Sequence, residues 1–355
     1  MKKIFLLLIF PILTNITWGQ QKQEAEKLVD EGVAFHDKGD YEGAIDKYDK
    51  ALDLDKDNLL ALAEKSFSLT SLKKYEDAIV LCKKAIEKHP YEDGLKTIFV
   101  TYGNALDDLK KSDQSIKVYD EGLKLFPEYY QLYFNKGITL SSVNKNEEAL
   151  LCFQKAIIIN PAHAGSNNSM ARILVSQNKN IPALFASCRS LTLEPQGDKA
   201  KRNLALVQTI MKANIKQTGK NSLTINIDPK MLEDTTSNGK TKDNNFNLSE
   251  LMLNMTSVLD YDDKNVKKTD AEQFIRKFES LCSSVDEVKN KNHGFYWEYY
   301  VPYFIEMKKQ NLIEPFAYIA FASSEKENIS IWLKLHQTEI DKFYEWSKNY
   351  KWVKK

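Results

Sequence analysis

The sequence predicts a mainly α protein: a solenoid of helical hairpins, then a separate, mostly helical domain rich in aromatic residues. Two observations carry that prediction. Five positions recur down the first half of the chain, and the aromatic residues crowd into its last third. Gly32, Ala44, Tyr48, Ala51 and Lys56 return 34 residues later as Ser66, Ala78, Cys82, Ala85 and Pro90. After an offset of 37 they return as Gly103, Ser115, Tyr119, Gly122 and Pro127, and after 34 as Gly137, Ala149, Phe153, Ala156 and Pro161. A fifth copy, 34 further on, is Ala171, Ala183, Ser187, Ser190 and Pro195. Self-similarity at this period marks a stack of small supersecondary units, each covering its neighbour's apolar face.

At the N-terminus, Lys2 and Lys3 precede an apolar run from Ile4 to Leu13, and the segment ends on Thr17-Trp18-Gly19. That is the anatomy of a removable export signal. The run is far shorter than the roughly 20 residues needed to span a bilayer. Residues 1–19 are therefore expected to be cleaved, leaving a mature chain from about Gln20 in the periplasm or outside the cell, with no transmembrane segment. No Cys follows the run, so a lipoprotein anchor is not indicated.

The five repeats are expected at about 25–58, 59–92, 96–129, 130–163 and 164–197. Small residues in both helices of a pair let the two approach closely. An apolar residue three positions after the first small one (Phe35, Leu69, Leu106, Leu140, Leu174) fills the space between them, and the closing Pro ends the second helix. Turn-forming segments such as Lys38-Gly39-Asp40 and Asn144-Lys145-Asn146 separate the helices within pairs. Leu204, Val207 and Met211 then share one face, as in a helix capping the stack up to residue 216.

Beyond it, Leu223, Ile225 and Ile227 alternate as in a single strand. Residues 233–245 hold no apolar side chain to bury and are expected to be mobile, within a linker placed at 217–245. The C-terminal domain, 246–355, opens with a helix over Leu248 to Leu259. Another begins at Thr269, where Glu272 completes a capping-box pattern. Phe295, Tyr296, Trp297, Tyr299, Tyr300, Tyr303 and Phe304 follow, and Trp332, His336, Ile340, Phe343 and Tyr350 recur at helical spacing. Such crowding builds a core, although a carbohydrate or cofactor platform remains open.

Charge excludes some partners. Lys plus Arg total 50 against 49 for Asp plus Glu, so no net field draws the chain to nucleic acid or anionic lipid. Arg occurs only at 172, 189, 202 and 276. The four cysteines, Cys82, Cys152, Cys188 and Cys282, are widely spread and read as buried structural thiols, not a disulfide framework.

The repeat residues quoted above resemble those of tetratricopeptide repeats, with a small residue near position 8, Ala at 20, an aromatic at 24, Ala at 27 and Pro at 32. The resemblance covers about Ala25 to Gly197. It departs at Ser115, Gly122, Ser187 and Ser190, and no repeat has the family's Trp at position 4. The resemblance implies a right-handed helical-hairpin solenoid whose concave face, built from the first helix of each pair, holds a protein or peptide. Carrying over positions 5, 6 and 9 gives Val29, Asp30 and Val33; Ala63, Glu64 and Phe67; Val100, Thr101 and Asn104; Phe134, Asn135 and Ile138; Asn168, Ser169 and Arg172. From these, Phe67, Asn104, Phe134, Asn135, Asn168 and Arg172 are the candidate groove residues. Phenyl rings take apolar side chains, and amides bond an extended backbone. The Lys/Arg/Asn clamp by which some family members hold a C-terminal carboxylate is absent. The same positions could instead be solvated, or touch the protein's own C-terminal domain.

Chemistry finds little support. Asp53, Asp55, Asp57 and Glu64 nearly spell a calcium loop, but residue 58 is Asn where the loop needs Gly, and the repeat register demands a helix from about 59. Asp260, Asp262 and Asp263 read as a solvated turn. His36, His89, His163, His293 and His336 form no zinc motif, and no phosphate-binding loop or nucleophile elbow occurs. His293, with Glu298 and Cys282 nearby in sequence, is the least implausible catalytic group. No cofactor or metal is expected. The reading is a non-enzymatic binding scaffold of a bacterial cell envelope, its C-terminal domain supplying a second contact or self-association. The alternative is a C-terminal enzyme or glycan-binding module that the repeats position.

Overall fold

The computed structural model describes residues 10–212, 215–219, 222–225, 236–237, 240–241 and 243–353. Of the expected signal segment, residues 1–9 lie outside the described residues, and 10–19 open the first helix. Among the described residues no helix is long and apolar enough to cross a membrane. The chain divides into two compact units, Met1–Cys152 and Phe153–Lys355.

The first unit holds α1 (Phe10–His36), α2 (Tyr41–Leu54), α3 (Leu59–Ser71), α4 (Tyr75–Lys88), α5 (Leu95–Asp108), α6 (Ser112–Leu125), α7 (Tyr130–Ser142) and the start of α8 (Asn146–Ile159). One turn recurs between the helices of each pair. Asp40 N–H donates to Phe35 O, Lys74 to Leu69, Lys111 to Leu106 and Lys145 to Leu140, at 2.8–3.0 Å. The preceding residue is left-handed each time: Gly39, Lys73, Lys110 and Asn144, with φ between 60 and 80°. This six-residue helix stop satisfies the last carbonyls of the first helix while reversing the chain. Only the first copy uses Gly, which hides the device from a search for glycine.

Close packing explains the small residues. A Cβ on Gly32 would sit 2.4 Å from the Tyr48 ring, and one on Gly103 would sit 2.2 Å from the Tyr119 ring. Where the first helix carries Ser66, the second carries Cys82 instead of Tyr, so bulk is traded between partners and both stay buried. Gly122, a departure from the family's Ala, has the same cause: its absent Cβ would meet Phe99 at 2.9 Å. The first helices α1, α3, α5 and α7 lie side by side as one wall. Their buried faces, with those of α2, α4 and α6, form two clusters, one around Tyr48 and one around Phe99 and Tyr119. Between repeats, Lys65 pairs with Asp49, and Lys136 with Asp120 at 2.6 Å.

The second unit holds the end of α8, α9 (Ala164–Ser176), α10 (Asn180–Leu193), α11 (Gly197–Lys212), α12 (Asn247–Val258), α13 (Asp270–Val288), α14 (Phe295–Lys309), α15 (Ile313–Ala320), α16 (Glu327–Leu335) and α17 (Gln337–Asn349). The expected single strand is half of an antiparallel hairpin, β1 (Ile215–Gly219) with β2 (Ser222–Ile225); Ile227 lies outside the described residues. Within the linker expected at 217–245, β3 (Thr236–Ser237) pairs with β4 (Lys240–Thr241), and residues 220–221, 226–235, 238–239 and 242 lie outside the described residues. The mobility expected there falls largely on those residues.

The division between units is not at that linker. It falls within the fourth repeat because the fifth is built into the C-terminal core. Every residue of α10 from Ile181 to Thr192 is buried. Phe185 stacks on Phe304 at 4.8 Å and meets Phe246 and Phe278 edge-on. Tyr299 Oη donates to Ile157 O at 2.8 Å, and Tyr300 Oη to Asn167 Oδ1 at 2.6 Å. The aromatic run is thus core, and the fifth repeat is part of that core. The Ser190 departure is explained too: its hydroxyl donates to Ala164 O at 3.3 Å and accepts from Asn203 Nδ2 at 3.0 Å, tying α9, α10 and α11 together.

The capping box opens α13: Thr269 Oγ1 accepts from Glu272 N–H, and Glu272 Oε2 accepts from Thr269 N–H. The aromatic periodicity from Trp332 to Tyr350 spans two helices, α16 and α17. It breaks at His336, whose ring stacks on Trp332 at 4.2 Å while Trp332 stacks on Tyr318 at 4.0 Å.

Candidate partner-binding groove

In the first unit the candidate residues stand on the wall of first helices. Phe67, on α3, is 50% exposed. It is held in place by stacking on His36 of α1, ring centroids 4.8 Å apart, and His36 Nδ1 is hydrogen-bonded to Ser68 Oγ at 2.7 Å. An exposed phenyl ring fixed in this way has already lost its rotamer freedom and offers a face without further ordering cost. One turn before it, Glu64 is half-buried, and burial holds its carboxyl above the usual carboxylate range, with His36 partly opposing that rise.

On α5, the next first helix, Asn104 is half-buried and accepts from Tyr119 Oη through Oδ1 at 2.7 Å. Its amide oxygen is therefore engaged, and its N–H groups remain for a ligand. On α7, Asn135 Nδ2 donates to Gln131 O at 2.8 Å, which leaves the opposite end, Oδ1, as the acceptor. Phe134 is half-buried beside it, and Ile138 is exposed one turn on. Each Asn thus has one of its hydrogen-bonding positions taken up within the fold, so fewer remain than the sequence reading gave it.

Asn168 and Arg172 belong to the second unit, on α9. The C-terminal helices that meet the fifth repeat cover α10 and leave Asn168 half-buried and Arg172 exposed, so contact with the protein's own domain does not use up these two side chains. The arginine that sequence reasoning passed over is Arg189. It is 4% exposed, donates to Ser347 Oγ at 2.8 Å and Tyr303 Oη at 3.2 Å, and lies over the rings of Tyr303 and Trp352 at 5.2 and 5.1 Å. Hydroxyls and π-faces take the place of a carboxylate there.

The near-calcium pattern is a helix junction. Asp53 ends α2, Asn58 Oδ1 caps α3 by accepting from Ala61 N–H at 2.9 Å, and Glu64 lies inside α3. Among the described residues no cluster of three or more His, Cys, Asp or Glu could hold a metal ion. His293 pairs with Asp243 at 2.6 Å. Cys282 is fully buried, and burial pushes its thiol far up, away from the reactive thiolate. All four cysteines are buried and unpaired, and burial raises Cys82 to about 12 and Cys152 to about 11.

Comparison with known proteins agrees with the hairpin geometry. A family model described as TPR repeat matches residues 32–64, and one described as tetratricopeptide repeat matches 97–129 and 130–163. The helical hairpins within 32–64, 97–129 and 130–163 are tetratricopeptide repeats. A Protein STIP1 homolog of Dictyostelium discoideum is 34% identical over 113 residues, which is 32% of this chain and 20% of that protein, so the chain spans about a fifth of that relative's length. Among solved structures, the Pseudomonas aeruginosa pilF protein is 20% identical, with 54% of this chain and 84% of that one covered at a TM-score of 0.48. TTC0263, described as a thermophilic TPR protein of Thermus thermophilus, is 17% identical, with 52% and 98% covered at 0.43.

Proposed function

We propose that this tetratricopeptide repeat chain is a non-enzymatic protein- or peptide-binding scaffold of the bacterial cell envelope, exported with loss of residues 1–19. The observation that carries the binding role is Phe67, an exposed ring locked by His36 on a wall whose next two helices present Asn104, Phe134 and Asn135. Asn168 and Arg172 hold the same repeat positions on α9. The partner suited to these groups is an extended segment with apolar side chains for the rings and a cationic group for Glu64, whose carboxylate has no ion pair among the described residues. Ionising Glu64 opposite such a cation would recover part of the desolvation it suffers in the free protein.

The test is affinity capture from envelope extract, followed by titration of the recovered partner. Phe67→Ala is expected to weaken binding about tenfold, and the Phe134→Ala/Asn135→Ala pair by at least as much, as for anchors at an interface centre. Equal capture by wild type and both variants would overturn the groove. The export reading is tested by cell fractionation with N-terminal sequencing: a mature chain starting at Gln20 supports it, and an intact Met1 terminus in the cytoplasm overturns it.

A further inference from the structure

Outside the candidate groove, an exposed apolar stripe of the second unit runs along α12. Leu248, Met252, Met255 and Leu259 are spaced 4, 3 and 4 apart, which puts them on one helix face. The opposite face, with Ser249, Leu253 and Ser257, is buried. Tyr261 and Val266 continue the outward surface beyond the helix, and the six side chains are 39–58% exposed.

We propose that this stripe is the seam of a homodimer, in which two copies of the chain meet across a two-fold axis with their α12 helices antiparallel. The occupant is argued from self-complementarity. The spacing reads the same in both directions, so an axis at the middle of the helix sets Leu248 against Leu259 of the second copy and Met252 against Met255. It also sets Tyr261 against Phe246 of the second copy. There a cavity of about 200 Å³ opens, lined by Phe246, Leu248, Val288 and Trp297 with the polar Asn245, Ser249, Lys291 and Asn292. An exposed phenol at one end of the stripe thus faces a hole of ring size at the other, and a two-fold axis makes that match twice.

Along the helix, charge does not oppose the pairing. Between Phe246 and Leu259 the one charged residue is Glu250, which is turned toward α10 and accepts from Asn180 Nδ2 at 2.6 Å. The stripe offers on the order of 600 Å² per copy, so a pair buries about 1,200 Å², the lower bound for a specific interface. The 3- and 4-residue spacing is that of a two-stranded helical seam, and the two methionines at its centre adapt to each other's shape.

The test uses the full chain. Sedimentation across the micromolar range is expected to show a species of twice the 40.9 kDa chain mass. Met252→Glu/Met255→Glu should return it to one chain mass with unchanged helical signal, since both side chains are exposed. Leu248→Cys and Leu259→Cys then fix the geometry. Mixed and mildly oxidised, they should give a cross-linked dimer, whereas each alone should not, because identical positions lie about 16 Å apart along the antiparallel pair. A wild-type monomer throughout that range would overturn the proposal, as would a foreign partner alone occupying the stripe. Equal cross-linking of each single variant with itself would overturn it as well.

Discussion

Gly103 leaves no room for even a methyl group, because the Tyr119 ring beneath it is fully buried and anchored through its hydroxyl to Asn104. Gly103→Ala is therefore expected to cost about 1–3 kcal/mol, as overpacking does, and Gly103→Ser costs at least as much. Pairing Gly103→Ser with Tyr119→Cys copies the Ser66/Cys82 combination of the second repeat and should recover part of that loss. Urea unfolding of the three variants checks it, and strict additivity would contradict the trade of bulk between helices. Glu64 gives a prediction in pH. Its folded carboxyl binds its proton more tightly than the unfolded one, so the folded state is penalised increasingly as the pH rises from the ordinary carboxylate value through the raised one. Glu64→Gln should raise Tm at pH 7, and the gain should close below about pH 4. A gain independent of pH would point to packing instead.

At the scale of elements, the decisive joints are those where helix ends meet buried charge. Lys277 of α13 donates to Met211 O at the end of α11 and to Asp260 after α12, while Arg276 reaches Asp260 and Thr256 O. Ser257 Oγ adds a second bond to the same Met211 carbonyl. Lys277 is nearly fully buried, and that burial, more than Asp260 opposing it, pushes its ammonium below the ordinary lysine value. Asp260→Asn leaves two cations uncompensated and is expected to cost about 3–5 kcal/mol in denaturant unfolding, and Asp260→Asn/Lys277→Met should recover much of it. In the sequence, Asp260 looked like part of a solvated acidic turn. Its partners lie 16 and 17 residues later, and only the crossing of α12 and α13 brings them together. The capping box at Thr269 and Glu272 was legible because it is local. The recurring helix-stop turn was half legible: Gly39 and Asn144 are turn residues by type, while Lys73 and Lys110 adopt the same left-handed backbone through their neighbours' hydrogen bonds.

For the whole molecule, the repeat period was readable because each copy repeats its own packing. The docking of the aromatic run on α10 was not, because its partners are far apart in sequence. Phe185 and Arg189 stand in a helix whose pattern is that of any second repeat helix, and only Phe304, Tyr303 and Trp352 reveal what they face. The candidate residues lie on the first helices α3, α5, α7 and α9, and Asn104 and Asn135 each make a hydrogen bond within the fold, which the register cannot show. A chain truncated after Lys216 makes the sharpest test of this organisation. It strips the cover from α10, so the fifth repeat is expected to lose protection in hydrogen exchange and the truncated chain to aggregate. Intact protection over Ile181–Thr192 would mean that the fifth repeat stands alone.

The enclosure of α10 also bears on how such a chain can change length over evolutionary time. A repeat array grows when a copy is duplicated in tandem, and a new copy is tolerated where its outer helix can face water and its inner edges meet other repeats. An insertion after Leu193 meets neither condition, since the aromatic core would then confront a helix lacking Phe185 and Arg189. Upstream of Ala164 the second helices keep exposed side chains, such as Val80 on α4 and Leu151 on α8, and an extra hairpin there needs only its neighbours. Lineages that lengthen this array are therefore expected to do so from the N-terminal side, with the last repeat and the domain behind it inherited as one block.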